Sequence, residues 1–499
     1  MYTLAPLFGN GAVLARNKEI RVFGVADEGV TLRAALKDAF GITLAEAVCT
    51  AEDGKFLLRL KPQEAQTGCT LTVTDGTETV TSSDIAIGEV YFAGGQSNME
   101  LELQNADEGP ELIEEHLDHD LRYFNVPKKP IWDESAVEAE AQSHWESIRP
   151  GWGKDMSAVA YFFAVKLRKK LGVPVGIIDC YWGGTSVTCW MDEVALKRTA
   201  EGRRYLDEYA QRSGDKTMEQ YLAEEKAFGE YCADWNRKAD DLRKEKPDIT
   251  WPEINGILGQ MQWNPPVGPG SPYRPAGLVE TMLKRVVPAT LTGFLFYQGE
   301  EDSGRSSCYD ELLVSAVKRW RELFMDDELP FLNVQLPMWI PSDGVEDGNW
   351  GRFRHRQELA WKQIRNSGMA VIIDCGEFDN IHPTDKRTPG ERLYEQALEV
   401  VYGEKGQVSP RATGKYIAGS TLTVTLTAPV TARGEETLLE IAGQDGKYVR
   451  ADVTVEGDKL RLTAPEVARP VAARYAHVNW GKVQLFGENG LPLAPFILE

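Results

Sequence analysis

The chain has few cysteines and no long run of apolar residues. Its seven cysteines are scattered over 499 residues without a C-x-x-C pair, which argues against a disulfide framework and against a zinc cluster. No apolar stretch is long enough to predict a membrane-spanning helix. The first residues, MYTLAPLFGN, lack a basic start followed by an apolar core, so we expect no signal peptide and a cytoplasmic location.

Positive charge is also scarce. Lys and Arg number 55 against 76 Asp and Glu, so the net charge is −21. Proteins that bind nucleic acid need clustered Lys and Arg to neutralise phosphates, so the composition argues against a nucleic-acid partner. It is typical of a soluble chain with a self-repelling surface, and it leaves the oligomeric state open.

The pattern of the chain predicts three domains. Residues 1–83 are short runs of β-branched residues between turn residues, which favours a β-sandwich-like domain. Residues 84–404 alternate strands with helices, and the β pattern returns over 405–499. A charged segment at about 196–250 is predicted to be an insertion, a helical hairpin whose charges mostly form a solvated face.

Strands that alternate with helices predict a parallel sheet covered on both faces. We therefore expect a flavodoxin-like, three-layer α/β fold, flanked by the N- and C-terminal β-rich domains. The predicted strands are GEVYFAG, VGIIDC, LTGFLFY, LPFLNVQL and MAVIID.

Open parallel sheets bind ligands beyond the carboxyl ends of their strands, and the loop after GEVYFAG holds a candidate nucleophile. Two glycines allow a tight turn, and Ser97 then lies near a helix start, where N–H groups favour negative charge. The alternative is that Ser97 only caps the helix. Position 99 is Met, so the G-x-S-x-G elbow of α/β-hydrolases does not fit.

The loop after MAVIID holds a candidate base. A serine hydroxyl needs a base, and neutral imidazole is the usual one, oriented by a carboxylate. Asp379 precedes His382 by three residues and can reach back to its ring. The other five histidines lack a comparable place at a strand end, although a loop histidine can also be purely structural.

Two further loops offer hydrogen-bond donors for an oxyanion. The glycines of Tyr181-Trp182-Gly183-Gly184 let a backbone N–H approach a substrate, and the side chain of Gln298 can donate a second bond. The alternative for both loops is plain turn chemistry.

Together, GQSNME, WGGT, YQGE and D-x-x-H-P resemble the motifs of SGNH hydrolases, in the branch of sialate O-acetylesterases and related carbohydrate acetylesterases. The N-terminal stretch and RYAHVNWGKVQLFGENGLPLAPF resemble the ends of that family. The resemblance implies an SGNH fold, no cofactor and no metal. It implies hydrolysis of an acetyl ester on sialic acid or an oligosaccharide through an acetyl-enzyme.

The resemblance also assigns roles, with Ser97 as nucleophile, His382 as base and Asp379 as its orienter. It implies an oxyanion hole made of the N–H groups of Ser97 and Gly184, with Gly183 as the alternative, and the side chain of Gln298. The chain departs from the family pattern at Glu301-Asp302, after YQGE.

Substrate contacts are predicted more loosely. The candidates are Gln96, Trp182, Gly183, Trp190, Glu300 and Arg352, with Trp350 and Arg354 as further members; core packing is the alternative for each tryptophan.

Several alternatives remain open. Within the esterases, an acetylxylan- or acetylmannan-oligosaccharide esterase is the alternative to a sialate esterase. A non-catalytic carbohydrate-binding protein is another. A glycosidase would pair Glu300 with Asp379 or Glu377 across a sugar.

Overall fold

The computed structural model describes residues 1–341 and 344–499. The chain begins with strands that pair mostly in antiparallel fashion. Along Thr31–Lys37, buried side chains alternate with more exposed ones. These strands are β1 (Tyr2–Leu4), β2 (Val13–Ala15), β3 (Ile20–Ala26), β4 (Thr31–Lys37), β5 (Thr43–Thr50), β6 (Lys55–Leu60), β7 (Gln66–Thr74) and β8 (Thr79–Gly95). The β1-β3-β6 sheet and the β5-β4-β7-β8 strands form the N-terminal β-rich region.

Strand β8 crosses the predicted domain boundary without a break. Its first half pairs with β7, and its second half, from Glu89 to Gly95, pairs in parallel with β11 (Val175–Tyr181). The boundary predicted at residues 83 and 84 therefore falls inside one 17-residue strand. The division into three domains stays a prediction.

The central sheet has the predicted flavodoxin-like order. Its further strands are β9 (Asp118–Asn125), β10 (Trp145–Ile148), β12 (Gly293–Tyr297), β13 (Phe331–Gln335) and β14 (Ser367–Val371). The order is β10-β9-β11-β8-β12-β13-β14, in which β10 alone is antiparallel to its neighbour. The strand order reverses at β8, and such a reversal is where these sheets bind ligands. Strands β9 and β10 were not predicted.

Helices flank this sheet, and α4 packs against α12 while α10 packs against α11. The helices are α1 (Ser97–Glu100), α2 (Gly109–Glu115), α3 (Glu134–Gln142), α4 (Ala158–Leu171), α5 (Glu193–Leu196), α6 (Ala200–Ser213), α7 (Met218–Glu245), α8 (Trp251–Leu258), α9 (Lys284–Val286), α10 (Tyr309–Leu323), α11 (Asn349–Gln363) and α12 (Arg387–Val400). Shorter 3-10 or π turns lie at Pro6–Phe8, Leu103–Asn105, Val187–Trp190, Val279–Leu283 and Ser303–Cys308.

Helices α6, α7 and α8 form the insertion, which runs beyond the predicted end at residue 250. A capping box at Thr217 starts α7. The insertion has a small apolar core of its own, in which Trp235 stacks on Trp251 over the buried Ile254. A helical insertion was thus predicted, but not its third helix.

The C-terminal region is β-rich. Its strands are β15 (Ala412–Ala418), β16 (Thr421–Leu426), β17 (Val430–Ala432), β18 (Leu439–Ala442), β19 (Tyr448–Arg450), β20 (Asp452–Glu456), β21 (Lys459–Thr463), β22 (Ala472–Tyr475), β23 (Leu485–Gly487) and β24 (Phe496–Leu498). Met338 and Met369 from the α/β part join its core. Across the described ranges, no helix is long and apolar enough to span a membrane.

Candidate active site

The end of β8 places Ser97 at the sheet edge. Gly95 has φ +143°, and a Cβ atom there would lie 2.1 Å from the carbonyl oxygen of Tyr297 on β12. Only glycine therefore lets β8 end so close to its neighbour. Gln96 then caps α1 in an extended conformation, and Ser97 is the first helical residue.

Ser97 meets the imidazole of His382. The Oγ of Ser97 lies 2.8 Å from Nε2 of His382. Although part of His382 reaches solvent, burial by the surrounding residues lowers the pKa of His382 to about 4, and the cationic Lys386 lowers it further. The imidazole is therefore neutral near pH 7, the form that can accept a proton from a serine hydroxyl.

The loop that carries His382 is shaped by its own side chains. Asn380 brackets the histidine, because its Oδ1 accepts from the His382 N–H at 3.0 Å and its Nδ2 donates to the His382 carbonyl at 3.0 Å. Glu377 accepts from Asn380 and from the N–H of Thr384. These bonds fix the loop next to Ser97.

Asp379 does not meet His382 in this conformation. Its carboxylate accepts a hydrogen bond of 3.3 Å from the N–H of Trp251, the first residue of α8. Within residues 1–341 and 344–499, no hydrogen bond or ion pair joins Asp379 to His382. Asp379 bonds to Trp251 because the N-terminus of α8, in the insertion, carries a partial positive charge that stabilises a carboxylate. The predicted role of Asp379 as orienter stays a prediction.

The glycine loop separates the two candidate N–H donors. The N–H of Gly183 donates to Glu100 at 2.6 Å, and a Cβ atom on Gly183 would lie 3.4 Å from Cβ of Ser97. Gly184 has φ +70°, and no described residue accepts a hydrogen bond from its N–H. Of the two glycines, Gly184 therefore has the free donor.

Gln298 is not free to donate to an oxyanion here. It is 1% exposed, and its Nε2 donates to the backbone oxygen of Thr185 at 3.0 Å and to Asp302 at 2.5 Å. The buried carboxylate of Asp302 needs such donors, because burial without them is costly. In this conformation the Gln298 amide thus joins two loops, and its role as an oxyanion donor stays a prediction.

Gln96 offers a side-chain amide in that place. Its Oε1 accepts from Nε2 of Gln298 and from the N–H groups of Gly299 and Glu301. Its own NH2 group has no acceptor in the part of the chain that the structure describes. The amide next to Ser97 is therefore held at its oxygen end and available at its nitrogen end.

A buried network under Ser97 was not predicted. The Nδ2 of Asn98 donates to Glu300 at 2.5 Å, and the Nζ of Lys386 donates to Oδ1 of Asn98 at 2.6 Å. Burial raises the pKa of Glu300 and lowers that of Lys386 to about 8. The network joins α1 to the third and last loops. The spacing of the motifs does not single out Asn98. Asn98 and Glu300 nevertheless lie in GQSNME and YQGE, two of the motifs that carried the resemblance.

Glu300, a predicted substrate contact, belongs to this network, and that contact stays a prediction. Glu300 is only 7% exposed, and its Oε2 has no hydrogen-bond partner among the described residues. It lies below the site, because its hydrogen bond to Asn98 points it into the protein.

The other predicted substrate residues divide clearly. Trp190 and Trp350 are each 3% exposed and donate to protein oxygens, so they are core residues. Arg354 is fully buried and donates to three backbone carbonyls, which excludes it as a ligand for a sugar carboxylate. Arg352 is exposed, and its one hydrogen bond goes to the carbonyl of Asp347. Trp182 is half-buried beside the glycine loop.

A metal ion has no evident place. In the two described ranges, no group of three or more His, Cys, Asp or Glu side chains could hold one. The seven cysteines are free thiols.

Comparisons with known proteins show what the chain is similar to. No protein-family model matches the chain. It is 26% identical over 344 residues to the sialate O-acetylesterase of Mus musculus, which covers 64% of the chain and 58% of the mouse protein. For the sialate O-acetylesterase of Homo sapiens the identity is 25% over 346 residues, covering 64% of the chain and 55% of the human protein. The chain thus matches less than two thirds of the length of these relatives.

A solved structure matches over the full length. The crystal structure of a carbohydrate acetylesterase from Xanthomonas citri has a TM-score of 0.76 and 26% sequence identity, and the match covers 100% of both chains. The predicted resemblance is therefore confirmed: the chain is similar to sialate O-acetylesterases in sequence and to a carbohydrate acetylesterase over its whole length, with an SGNH-like α/β fold.

Proposed function

We propose that the chain is a serine esterase that removes acetyl groups from a carbohydrate. The observation that carries the proposal is the 2.8 Å contact between Oγ of Ser97 and Nε2 of His382. A hydroxyl so close to a neutral imidazole can be deprotonated as it attacks a carbonyl. The similarity to sialate O-acetylesterases and to a carbohydrate acetylesterase supports the same chemistry.

The first half of the reaction acylates the serine. Nε2 of His382 takes the proton of Ser97 while Oγ attacks the acetyl carbon, and the carbonyl oxygen becomes an oxyanion. When the tetrahedral intermediate collapses, the imidazolium gives its proton to the departing sugar oxygen. The sugar leaves as an alcohol, and the acetyl group stays on Ser97.

The oxyanion needs donors placed before the reaction starts. The N–H of Ser97 lies at the start of α1 and has no acceptor among the described residues, and the N–H of Gly184 is also free. We assign the third donor to the side-chain NH2 of Gln96 rather than to Gln298. One such donor contributes about 10²–10³ to the rate.

The second half releases acetate. Water enters, His382 takes one of its protons, and the hydroxide attacks the acetyl-enzyme. The same donors hold the second oxyanion, and the imidazolium returns its proton to Oγ of Ser97. In this conformation Asp379 contributes no hydrogen bond to either half. We propose that it stabilises the imidazolium when the loop rearranges.

The substrate is an acetylated sialic acid or an acetylated oligosaccharide of the xylan or mannan type. A glycosidase has less support, because its two carboxylates must flank a sugar and Glu300 is buried beneath the site.

Acetate release from Ser97→Ala tests the proposal. We expect the variant to fold normally and to lose at least about 10³-fold in turnover of an aryl acetate. The exposed serine variant Ser307→Ala is the matched control and should behave like the parent protein. A fluorophosphonate should label the parent at Ser97 and leave Ser97→Ala unlabelled. Substantial activity in Ser97→Ala would overturn the assignment.

A further inference from the structure

The insertion forms one wall of a pocket next to the glycine loop. The cavity has a volume of about 290 Å³, at the lower end of the range for small-molecule sites. Its walls come from α6, from the segment 263–275, from Gly184 and from the loop at Glu301. The pocket therefore exists only because the helical insertion folds back over the α/β domain.

This pocket lies next to the glycine loop that borders the serine. A Cβ atom on Gly183 would lie 3.4 Å from Cβ of Ser97, and one on Gly184 would lie 3.0 Å from the ring of Trp263. Two consecutive residues thus separate the nucleophile from the pocket wall. On the other side, the N–H of Glu301 donates to Gln96, the neighbour of Ser97. A substrate whose acetyl group reaches Ser97 extends into the cavity.

An exposed aromatic ring faces this space. Trp263 is 43% exposed, although its ring contacts Phe228 at 5.6 Å and Tyr273 at 5.8 Å between centroids, in edge-on geometry. Trp263 is thus held at its edges with part of its surface open, and an amphipathic ring so placed can cover the apolar face of a sugar.

The charges that line the pocket nearly balance, because Arg212, Arg274 and Arg305 are accompanied by Glu208 and Glu301, with Glu201 paired to Arg305. A lining without a large net charge suits a ligand that binds through hydroxyl groups. Arg305 is already paired with Glu208 at 2.8 Å and with Glu201 at 2.9 Å. Nη1 of Arg274 donates to two backbone carbonyls. The carboxyl group of Glu301 has no ion pair or hydrogen bond with any described residue. Burial and the neighbouring Asp302 raise the pKa of Glu301 to about 7, so its oxygens accept hydrogen bonds from sugar hydroxyls and its protonated form also donates one.

We propose that this pocket binds an uncharged sugar unit of an acetylated oligosaccharide, with its apolar face on Trp263 and its hydroxyls donating to Glu301. The inference rests on the proposed esterase function and deepens it, because it names a neutral oligosaccharide as the substrate class. It also gives the insertion a role in specificity, and it uses Glu301, where the chain departs from the resembled motif.

Two variants and one control test the subsite. Trp263→Ala and Glu301→Ala remove the platform and the acceptor, and Trp152→Ala is the matched control, because Trp152 is also 43% exposed and does not line the pocket. The substrates are chemically acetylated xylotetraose and mannotetraose, O-acetylated N-acetylneuraminic acid and p-nitrophenyl acetate. The measured quantity is the ratio of kcat/KM for each sugar to kcat/KM for the aryl acetate.

We expect this ratio to fall about tenfold for at least one tetraose in Trp263→Ala and in Glu301→Ala, and to stay unchanged in Trp152→Ala. An unchanged ratio in both pocket variants overturns the proposal. So does a ratio that falls only for the sialic acid, since that would make the subsite one for an acidic sugar.

Binding without turnover separates this proposal from the esterase assignment. Unacetylated xylotetraose and mannotetraose are titrated calorimetrically into Ser97→Ala and into the double variant Ser97→Ala/Trp263→Ala. The double variant should bind the sugars more weakly than Ser97→Ala, or not at all. If the parent protein hydrolyses no ester but the titration shows this loss, the proposed function fails and the sugar site stands. Equal affinity in both proteins, or no binding in either, refutes the site.

Discussion

The protonation of His382 gives the sharpest quantitative prediction. Burial lowers its pKa to about 4, against about 6.5 for a histidine in water. The neutral form is the active one, so a lowered pKa keeps the enzyme active into mildly acidic solution. At pH 5.5, roughly 97% of the imidazole is neutral with a pKa of 4, and roughly 9% with a pKa of 6.5. The fraction of neutral, active imidazole at pH 5.5 therefore differs about tenfold between the two pKa values.

The assay is kcat/KM for an aryl acetate at pH 7.5 and at pH 5.5. This parameter reports the ionisation of the free enzyme. We expect the two values to agree within about 20%, once spontaneous hydrolysis is subtracted and the protein is shown to remain folded at pH 5.5. A drop of about tenfold would refute the reasoning, because it would mean that the imidazolium is as stable in the protein as in water.

Asp379→Asn sharpens the same experiment. In this structure, which represents the free enzyme, the carboxylate bonds to Trp251, so its neutralisation should not move the acid limb of the kcat/KM profile. The proposed stabilisation of the imidazolium by Asp379 follows a loop rearrangement after substrate binds. If the free enzyme instead brings Asp379 to His382, the carboxylate raises the pKa of the imidazole and the asparagine variant moves the limb to lower pH. Movement of the limb would show that the loop rearranges before substrate binds.

Three other substitutions have defined outcomes. Gln96→Glu keeps the accepting oxygen but removes the free NH2, and we expect a loss of about 10²–10³ in kcat for the folded variant. Because Gln96 is buried, the new carboxyl group should also lower the melting temperature. A full kcat would exclude Gln96 as a donor. Gly95→Ala places a methyl group 2.1 Å from a carbonyl oxygen, so we expect urea unfolding to show a loss of about 3 kcal/mol or more. A loss below about 1 kcal/mol would contradict the close approach. Arg354→Met leaves three buried carbonyls without their donor, for an expected loss of about 3 kcal/mol, and an unchanged unfolding midpoint would contradict it.

The sheet was predictable because its strands are short apolar runs between helical segments. The alternation over GEVYFAG, VGIIDC and LTGFLFY fixes the parallel strands β8, β11 and β12. Strand β9, DHDLRYFN, was missed because three of its eight residues are charged and two more, His119 and Asn125, are polar, so the pattern resembles a polar loop. Its register against β11 comes from tertiary contacts that no local pattern shows.

The encounter of Ser97 with His382 followed from topology, since parallel strands that end on one edge bring their loops together. The sequence could not show which hydrogen-bond partners the polar side chains of the site have in the folded protein. Gln298 looked like a free donor because the pairing of its amide with Asp302 depends on burial. The bond between Asp379 and Trp251 joins residues 128 positions apart, so no spacing predicts it.

Strand β8 makes the N-terminal β-rich region inseparable from the serine. The same uninterrupted backbone is hydrogen-bonded to β7 at one end and sets the position of Ser97 at the other. Deleting residues 1–83 would remove the first five of the 17 residues of that strand and strip β2 and β7 from its remaining edge. The region is therefore not a detachable module that could be exchanged between enzymes, and engineering of this scaffold has to keep it whole.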